Sequence, residues 1–465
     1  MRHAVRGLHP GRRFARILPG ELTRNGERAR KLTEHLAIDH IHCPPFTNRT
    51  KAVVDASHPP TGKNSATELE NSPRLAQRAA IVQPFRVMEL SKRAFEYERG
   101  GHTVVHFQVG EPDFTTCEPI VAAGQAALAS GQTKYTNADG LLALREEIAR
   151  YYADALGQSI DPQDVMVTSG ASGALTLLMA ALFDPGHEML MADPGYPCNS
   201  AFAHAVNAVP RLLPTEAKDE YQLTGDQITN AWRDTSRGVL LASPANPTGG
   251  MLSASGLQGI CSAVRRQSGV VILDEIYSGL IYEDRPDSYR CGWEIDSDIF
   301  LVNSFSKFFG MTGWRLGWIV TPGWARESLE RFAQNLFISP STPAQFAAIA
   351  AFSSEAMAIH EERRDIFRQR RDLLVGGLSQ LGFGLPFVPG GGFFLYVDVS
   401  HTGMDAETFC WRLVDEYKVA VTPGTDFGLL GATHHVRFAF TTSAEQIELG
   451  LERIRQALKD WGVDQ

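Results

Sequence analysis

The chain has 465 residues, 43% hydrophobic and 21% charged, with 44 basic against 53 acidic side chains and a formal net charge of −9. That length suits two or more domains around a substantial core, and the composition is that of an ordinary globular protein, neither fibrous nor disordered overall. The acidic balance argues against broad nucleic-acid binding, which needs a concentrated basic face, and leaves small-molecule chemistry as the expectation. Six cysteines, Cys43, Cys117, Cys198, Cys261, Cys291 and Cys410, are scattered without C-x-x-C pairing. They suggest neither a disulfide scaffold nor a metal site, and point to a reducing, cytoplasmic compartment. The longest apolar stretches, such as Ala174 to Phe183, fall short of a bilayer span, so no membrane partner is expected.

Residues 1–74 carry early arginines (Arg2, Arg6, Arg12, Arg13, Arg16), then become rich in Pro, Thr, Asn and Ser, and keep no apolar period. They are expected to form a disordered or peripheral extension. An organelle transit peptide would have such arginines, but Glu21, Glu27 and Asp39 spoil its acid-poor pattern. A translation start placed too far upstream accounts for the segment equally well. The globular part begins near Leu75, with an N-terminal arm and part of a small domain over 75–115, a large domain over 116–340 and a C-terminal small domain over 341–465.

From Val165 to Val320, short β-rich runs alternate with helix-length segments: Val165 to Val167, Glu188 to Met191, Val239 to Leu241, Val270 to Leu273, Ile299 to Val302 and Leu316 to Val320. This rhythm predicts an α/β fold with a mostly parallel sheet flanked by helices. Ligand sites in such sheets lie outside the carboxyl ends of the strands. Beyond Pro340 long helical patterns dominate, interrupted by strand-like Phe393 to Val399 and Val436 to Phe440, as in a smaller α+β domain.

Several loops at these strand ends carry chemistry-bearing residues. Thr168-Ser169-Gly170-Ala171-Ser172-Gly173 opens an apolar helix, where small residues let backbone N–H groups and the helix dipole meet a phosphate. Such turns are also common structural devices. Asp193-Pro-Gly195-Tyr196-Pro offers an aromatic ring, and a turn or core tyrosine is the plainer reading. Ser243-Pro-Ala-Asn246-Pro247-Thr-Gly249-Gly250 is a tight turn that can aim the Asn246 amide. The run Val270 to Leu273 leads into Asp274-Glu-Ile-Tyr277, setting a carboxylate at a strand end where burial calls for a cationic partner. A helix-capping Asp is the alternative.

The strongest signal is Ser304-Phe-Ser306-Lys307-Phe-Phe-Gly310-Met-Thr-Gly313-Trp-Arg315-Leu-Gly317, directly after a strand. A lysine whose pKa is lowered by burial or a nearby cation suits imine formation with an aldehyde. Ser304 and Arg315 suit a phosphate dianion. Taken singly, a surface lysine and an ion-paired arginine would be the plainer readings. Two further segments, Val109-Gly110-Glu-Pro112-Asp-Phe114 and His435-Val-Arg437-Phe-Ala-Phe, supply a turn and a strand-borne arginine, for which an edge-strand position in solvent is the alternative. Neither a G-K-[ST] loop nor a full G-x-G-x-x-G is present, against P-loop and dinucleotide readings.

The S-x-S-K-x(7)-R string resembles that of the class I/II aminotransferases of the fold type I, aspartate aminotransferase superfamily, and the other motifs follow in that family's order from about Leu75 onward. The resemblance implies pyridoxal 5'-phosphate bound to Lys307 as a Schiff base, with Asp274 against the pyridine nitrogen. It further implies Tyr277 and Asn246 at the ring oxygen, Tyr196 stacked on the ring, and Ala171, Ser172, Ser304 and Arg315 at the phosphate. Gly110, Asn246 and Arg437 would meet the substrate carboxylate, and Tyr135 would reach the phosphate of a neighbouring subunit, making a homodimer with shared sites. The activity implied is transfer of an amino group from an L-amino acid to a 2-oxo acid. A carbon–sulfur lyase or an aminocyclopropane-carboxylate-synthase-like lyase shares every cofactor motif. A regulator that only senses the cofactor would need a DNA-binding helix pair, which residues 1–74 do not suggest.

Overall fold

Strands form where aliphatic and β-branched residues cluster between polar turns. In chain order they are Val105–His106 (β1), Val165–Thr168 (β2), Glu188–Asp193 (β3), Val209–Pro214 (β4), Ser236–Ala242 (β5), Val270–Asp274 (β6) and Phe300–Ser304 (β7). Gly317–Val320 (β8), Phe394–Asp398 (β9), Val419–Ala420 (β10), Thr422–Pro423 (β11) and His435–Ala439 (β12) complete the set. The structure is a computed structural model and describes residues 75–82, 84–282, 291–429 and 431–463. The extension expected over residues 1–74 lies outside the described residues.

Seven strands form the main sheet in the order β2-β8-β7-β6-β5-β3-β4. The run from β7 through β6, β5 and β3 to β4 is parallel, whereas β8 is antiparallel to both β2 and β7. The fold is therefore the expected α/β one, with β8 as its antiparallel member. All five residues of β6 are buried, as a strand covered on both faces requires. Its side chains alternate between two cores: Val271 and Leu273 join one, Val270 and Ile272 the other. Two antiparallel steps return β2 to the direction of β7, so the carboxyl ends of β2, β5, β6 and β7 share one edge. There β2 leads into the helix Gly170–Leu182, β5 into residues 243–250, β6 ends at Asp274, and β7 ends at Ser304 just before Lys307.

Two smaller sheets stand beside this edge. β1 pairs in parallel with β10, and β12 lies between β11 and β9, antiparallel to each. Arg437 thus occupies a central strand and is 5% exposed, which removes the solvent-facing edge-strand alternative. The long helix Ser354–Gln380 and the terminal helix Ala444–Trp461 contact each other. No helix among the described residues is long and apolar enough to cross a membrane. None of them bring three or more His, Cys, Asp or Glu together as a metal site.

Candidate active site

A cavity of about 580 Å³ opens at the shared strand edge, and its lining includes Lys307, Asp274, Arg315 and Arg437. A larger adjoining cavity, about 770 Å³, shares Phe85, Tyr196, Asn246, Asp426 and Phe427 with it but contains neither Lys307 nor Asp274. The chemistry belongs to the smaller one.

Lys307 follows β7 in a tight turn and is half-buried, not a free surface lysine. Its Nζ donates to the Gly110 carbonyl at 2.8 Å and lies 5.5 Å from the Phe393 ring centre and 5.8 Å from that of Tyr277. Burial lowers the amine's pKa to about 8; Arg437 and Arg315 push the same way, Glu111 and Asp274 against it. Such an amine is nucleophilic close to neutral pH.

Asp274 is buried, and its Oδ1 accepts the Ile276 N–H at 3.0 Å. The next element is the short 3-10 turn Ser278–Leu280, whose N-cap is Tyr277, so Asp274 caps no helix. Burial raises its pKa to about 7, opposed by the Ile276 N–H and, more weakly, by Lys307. Among the described residues no cation forms an ion pair with it. A cationic group placed in the cavity would relieve that cost. Tyr277 is buried edge-on to Phe393 and Phe394, and burial drives its hydroxyl pKa upward.

The opposite end is built for an anion. Ala171 and Ser172 lie in the first turn of the helix Gly170–Leu182, whose N-cap Ser169 makes no side-chain capping bond. The N-terminal N–H groups and dipole therefore face the cavity uncapped by that residue. Ser304 is buried, donating to Leu316 O at 3.3 Å and accepting from Ser306 N at 3.0 Å. Arg315 reaches across Gly170, where an added Cβ would come within 2.7 Å of Nη2. Its Nη1 is fixed by Thr312 O at 2.9 Å, and no carboxylate among the described residues pairs with it. Gly317 is also constrained: a Cβ there would lie 2.7 Å from Asn303 O and 2.9 Å from Ala171 N.

Arg437 donates from Nη1 to Asn246 Oδ1 at 2.9 Å and from Nη2 to Gln108 O at 2.8 Å and Thr422 Oγ1 at 3.3 Å. The guanidinium carbon sits 4.4 Å from the Phe394 ring centre and 4.7 Å from that of Phe427. Burial lowers its pKa to about 10, which leaves it charged, and no carboxylate among the described residues pairs with it. A buried, unpaired guanidinium is a ready receptor for a ligand carboxylate. Gly110 adjoins it, and Tyr196 lines the cavity mouth.

Eleven of the twelve residues singled out in the sequence, Ala171, Ser172, Tyr196, Asn246, Asp274, Tyr277, Ser304, Lys307, Arg315, Gly110 and Arg437, line this cavity. Tyr135 does not: it is 79% exposed and lines a separate surface recess with Lys134 and Thr136. Sequence reasoning missed Gln108, Thr422, Phe394 and Phe427, which orient Arg437, and Asp426. The Asp426 carboxylate accepts the Arg86 and Val87 N–H groups, both at 2.8 Å, and so holds the start of the helix Arg86–Arg99 over the cavity. The separation of 340 positions between Arg86 and Asp426 conceals that contact in the sequence. The donor set fits pyridoxal phosphate: an amine for its aldehyde, a lone buried carboxylate for its ring nitrogen, and a helix start with Arg315 and Ser304 for its phosphate.

A family model described as aminotransferase class I and II matches residues 102–454. The valine–pyruvate aminotransferase of Mycobacterium tuberculosis is 35% identical over 82% of this chain and 97% of its own length. The (5-formylfuran-3-yl)methyl phosphate transaminase of Methanocaldococcus jannaschii is 33% identical over 83% of this chain and 99% of its own. The crystal structure of an aminotransferase from Mycobacterium tuberculosis superposes with a TM-score of 0.80 at 35% identity, covering 84% of this chain and all of that one.

Proposed function

The chain belongs to the class I and II aminotransferases, and from that premise we propose Lys307 as the residue that holds the cofactor and moves the proton of the reaction. The enzyme is a pyridoxal-phosphate-dependent aminotransferase. When bound, pyridoxal phosphate would supply an aldehyde carbon for the Lys307 amine and a ring able to accept the electron pair left when a substrate Cα–H bond breaks.

The remaining roles fall to the chain's own groups. Once free, the Lys307 amine would take the α-proton at Nζ and deliver it to the former aldehyde carbon rather than back to Cα. A pKa near 8 leaves a useful unprotonated fraction for that task. Asp274 supplies the counter-charge that holds a proton on the ring nitrogen. Tyr277 and the Asn246 amide would donate to the ring oxygen, and Tyr196 would hold the ring by stacking. Ser304, Arg315 and the N–H groups around Ala171 and Ser172 bind the phosphate. Arg437 binds the α-carboxylate beside Gly110.

One observation carries this reading: Lys307, Asp274, Arg315 and Arg437 line one cavity, and neither arginine is paired with a carboxylate of the described residues. The substrates are an amino acid and a 2-oxo acid. We further infer a homodimer in which Tyr135 completes the neighbouring site, supported by its exposure away from this chain's own cavity. The scattered cysteines support a cytoplasmic location. The proposed division is an arm with part of the small domain over 75–115, a large domain over 116–340 and a small domain over 341–465.

Cofactor-loaded protein mixed with an amino acid but no acceptor tests the reaction class. A transaminase forms one equivalent of 2-oxo acid per site and no ammonia. Continued ammonia release without an acceptor would make the enzyme a lyase.

A further inference from the structure

The segment bearing Gly110 is gripped on two sides. On one side three successive carbonyls are held by hydrogen bonds: Gln108 O accepts from Arg437 Nη2 and Gly110 O from Lys307 Nζ, both cavity residues, and Val109 O from Thr441 Oγ1, each at 2.8 Å. On the other side, away from the cavity lining, Arg370 donates to Asp113 in a two-pronged fork, Nη1 to Oδ1 at 2.8 Å and Nη2 to Oδ2 at 2.9 Å. The Arg370 side chain is 8% exposed and that of Asp113 35%. The adjoining Phe114 ring lies 5.0 Å from the Arg363 guanidinium, 5.0 Å from that of Arg370 and 5.4 Å from the Phe367 ring in an edge arrangement.

Arg363, Phe367 and Arg370 follow one another at helical spacing on the helix Ser354–Gln380 and so share one face. That face forms a socket for Asp113 and Phe114. Between the socket and Gly110 stand only Glu111 and Pro112. The proline ring fixes its own φ and restricts the residue before it, so a shift at Asp113 is transmitted to Gly110 rather than absorbed.

We propose that Asp113 and Arg370 are positioning residues that keep Arg437 in register for the carboxylate of an α-amino acid, an inference that rests on the role given above to Arg437. Arg370 is buried and Asp113 partly exposed, so removing one partner also costs stability, which the melting curves register separately. The fork's worth to the reaction lies in geometry: it sets the height of the arm, whose Gln108 carbonyl holds the arginine that receives the carboxylate. Loosening the clamp therefore weakens recognition of the carboxylate first.

The test uses cofactor-loaded Asp113→Asn, Arg370→Lys and the double variant, with melting curves to establish folding. Asp113→Asn keeps shape without charge, and Arg370→Lys keeps charge without the fork. Each is assayed with an amino acid and with the amine of the same side chain lacking the carboxylate. Expected is a KM for the amino acid raised about 10-fold, with kcat changed far less, as for a loss of binding common to substrate and transition state. The amine's kinetics should match wild type, the cofactor's absorbance should be unaltered, and the double variant should be no worse than the poorer single. Equal losses for amine and amino acid, or kinetics identical to wild type, would overturn the clamp while leaving the Lys307 and Arg437 assignments intact. Failure of the Arg437 assignment shows separately in Arg437→Lys, as equal losses for amine and amino acid, and would overturn both.

Discussion

Replacing Arg437 by lysine keeps the charge and removes the fork. In the native chain the guanidinium spreads its donors over Asn246 Oδ1 at 2.9 Å, Gln108 O at 2.8 Å and Thr422 Oγ1 at 3.3 Å. A single ammonium cannot hold Asn246 and Gln108 and still meet both oxygens of a substrate carboxylate. Losing one hydrogen bond to a charged group costs about 1.5–3 kcal/mol. At about 1.4 kcal/mol per decade, kcat/KM for an amino acid should fall by one to two decades. The comparison is steady-state kcat/KM for an amino acid and for the amine of the same side chain, with a melting curve to establish that the buried lysine is tolerated. Only the amino acid should suffer. An equal fall for both, or an undiminished kcat/KM for the amino acid, would refute Arg437 as the carboxylate receptor.

Asp274→Asn should keep the cofactor bound yet lose most turnover, because an uncharged partner cannot hold a proton on the ring nitrogen; near-normal activity would show that the partner is misassigned. Glu275 is 1% exposed, with one carboxylate oxygen taking the Gly292 N–H at 2.7 Å and the other buried and unpartnered. Burial raises its pKa from 4.5 to about 8, so the folded chain holds this proton more tightly than the unfolded one. Its contribution to stability is full below about pH 4.5 and is lost as the pH rises through about 8. Glu275→Gln, neutral throughout, should melt progressively higher than wild type between pH 5 and 9, and parallel curves would contradict this. Mixing Tyr135→Phe with Lys307→Ala chains should raise activity above the sum of the parents at limiting cofactor, since one site of each mixed dimer carries neither defect. No gain despite demonstrated subunit exchange would mean that the sites are not shared.

What was legible in the sequence follows from how local each signal is. Strands β2, β3, β5, β6, β7 and β8 were visible because each is an aliphatic run closed by a polar or glycine-bearing loop. β4, the sequence Val-Pro-Arg-Leu-Leu-Pro, was not: it is an edge strand carrying Pro210 and Pro214, and its side chains are mostly half-buried or exposed. The two-residue strands β1, β10 and β11 are too short for any period. Lys307, Asp274 and Arg315 could be picked out because strand ends and loop chemistry mark them. The surroundings of Arg437 could not, because Gln108, Thr422, Phe394 and Phe427 meet only in the tertiary fold. The Asp113–Arg370 fork spans 257 positions and left no local trace. The edge-strand alternative for Arg437 failed for the same reason, since strand order is not written in the strand.

The central claim is that Lys307 carries the cofactor. Cofactor-loaded protein should absorb in the near-ultraviolet or visible range, and borohydride reduction followed by proteolysis should fix the label on the peptide containing Lys307. Lys307→Ala should take up no borohydride-fixed label. A label on any other lysine, or one that survives in Lys307→Ala, would contradict the account.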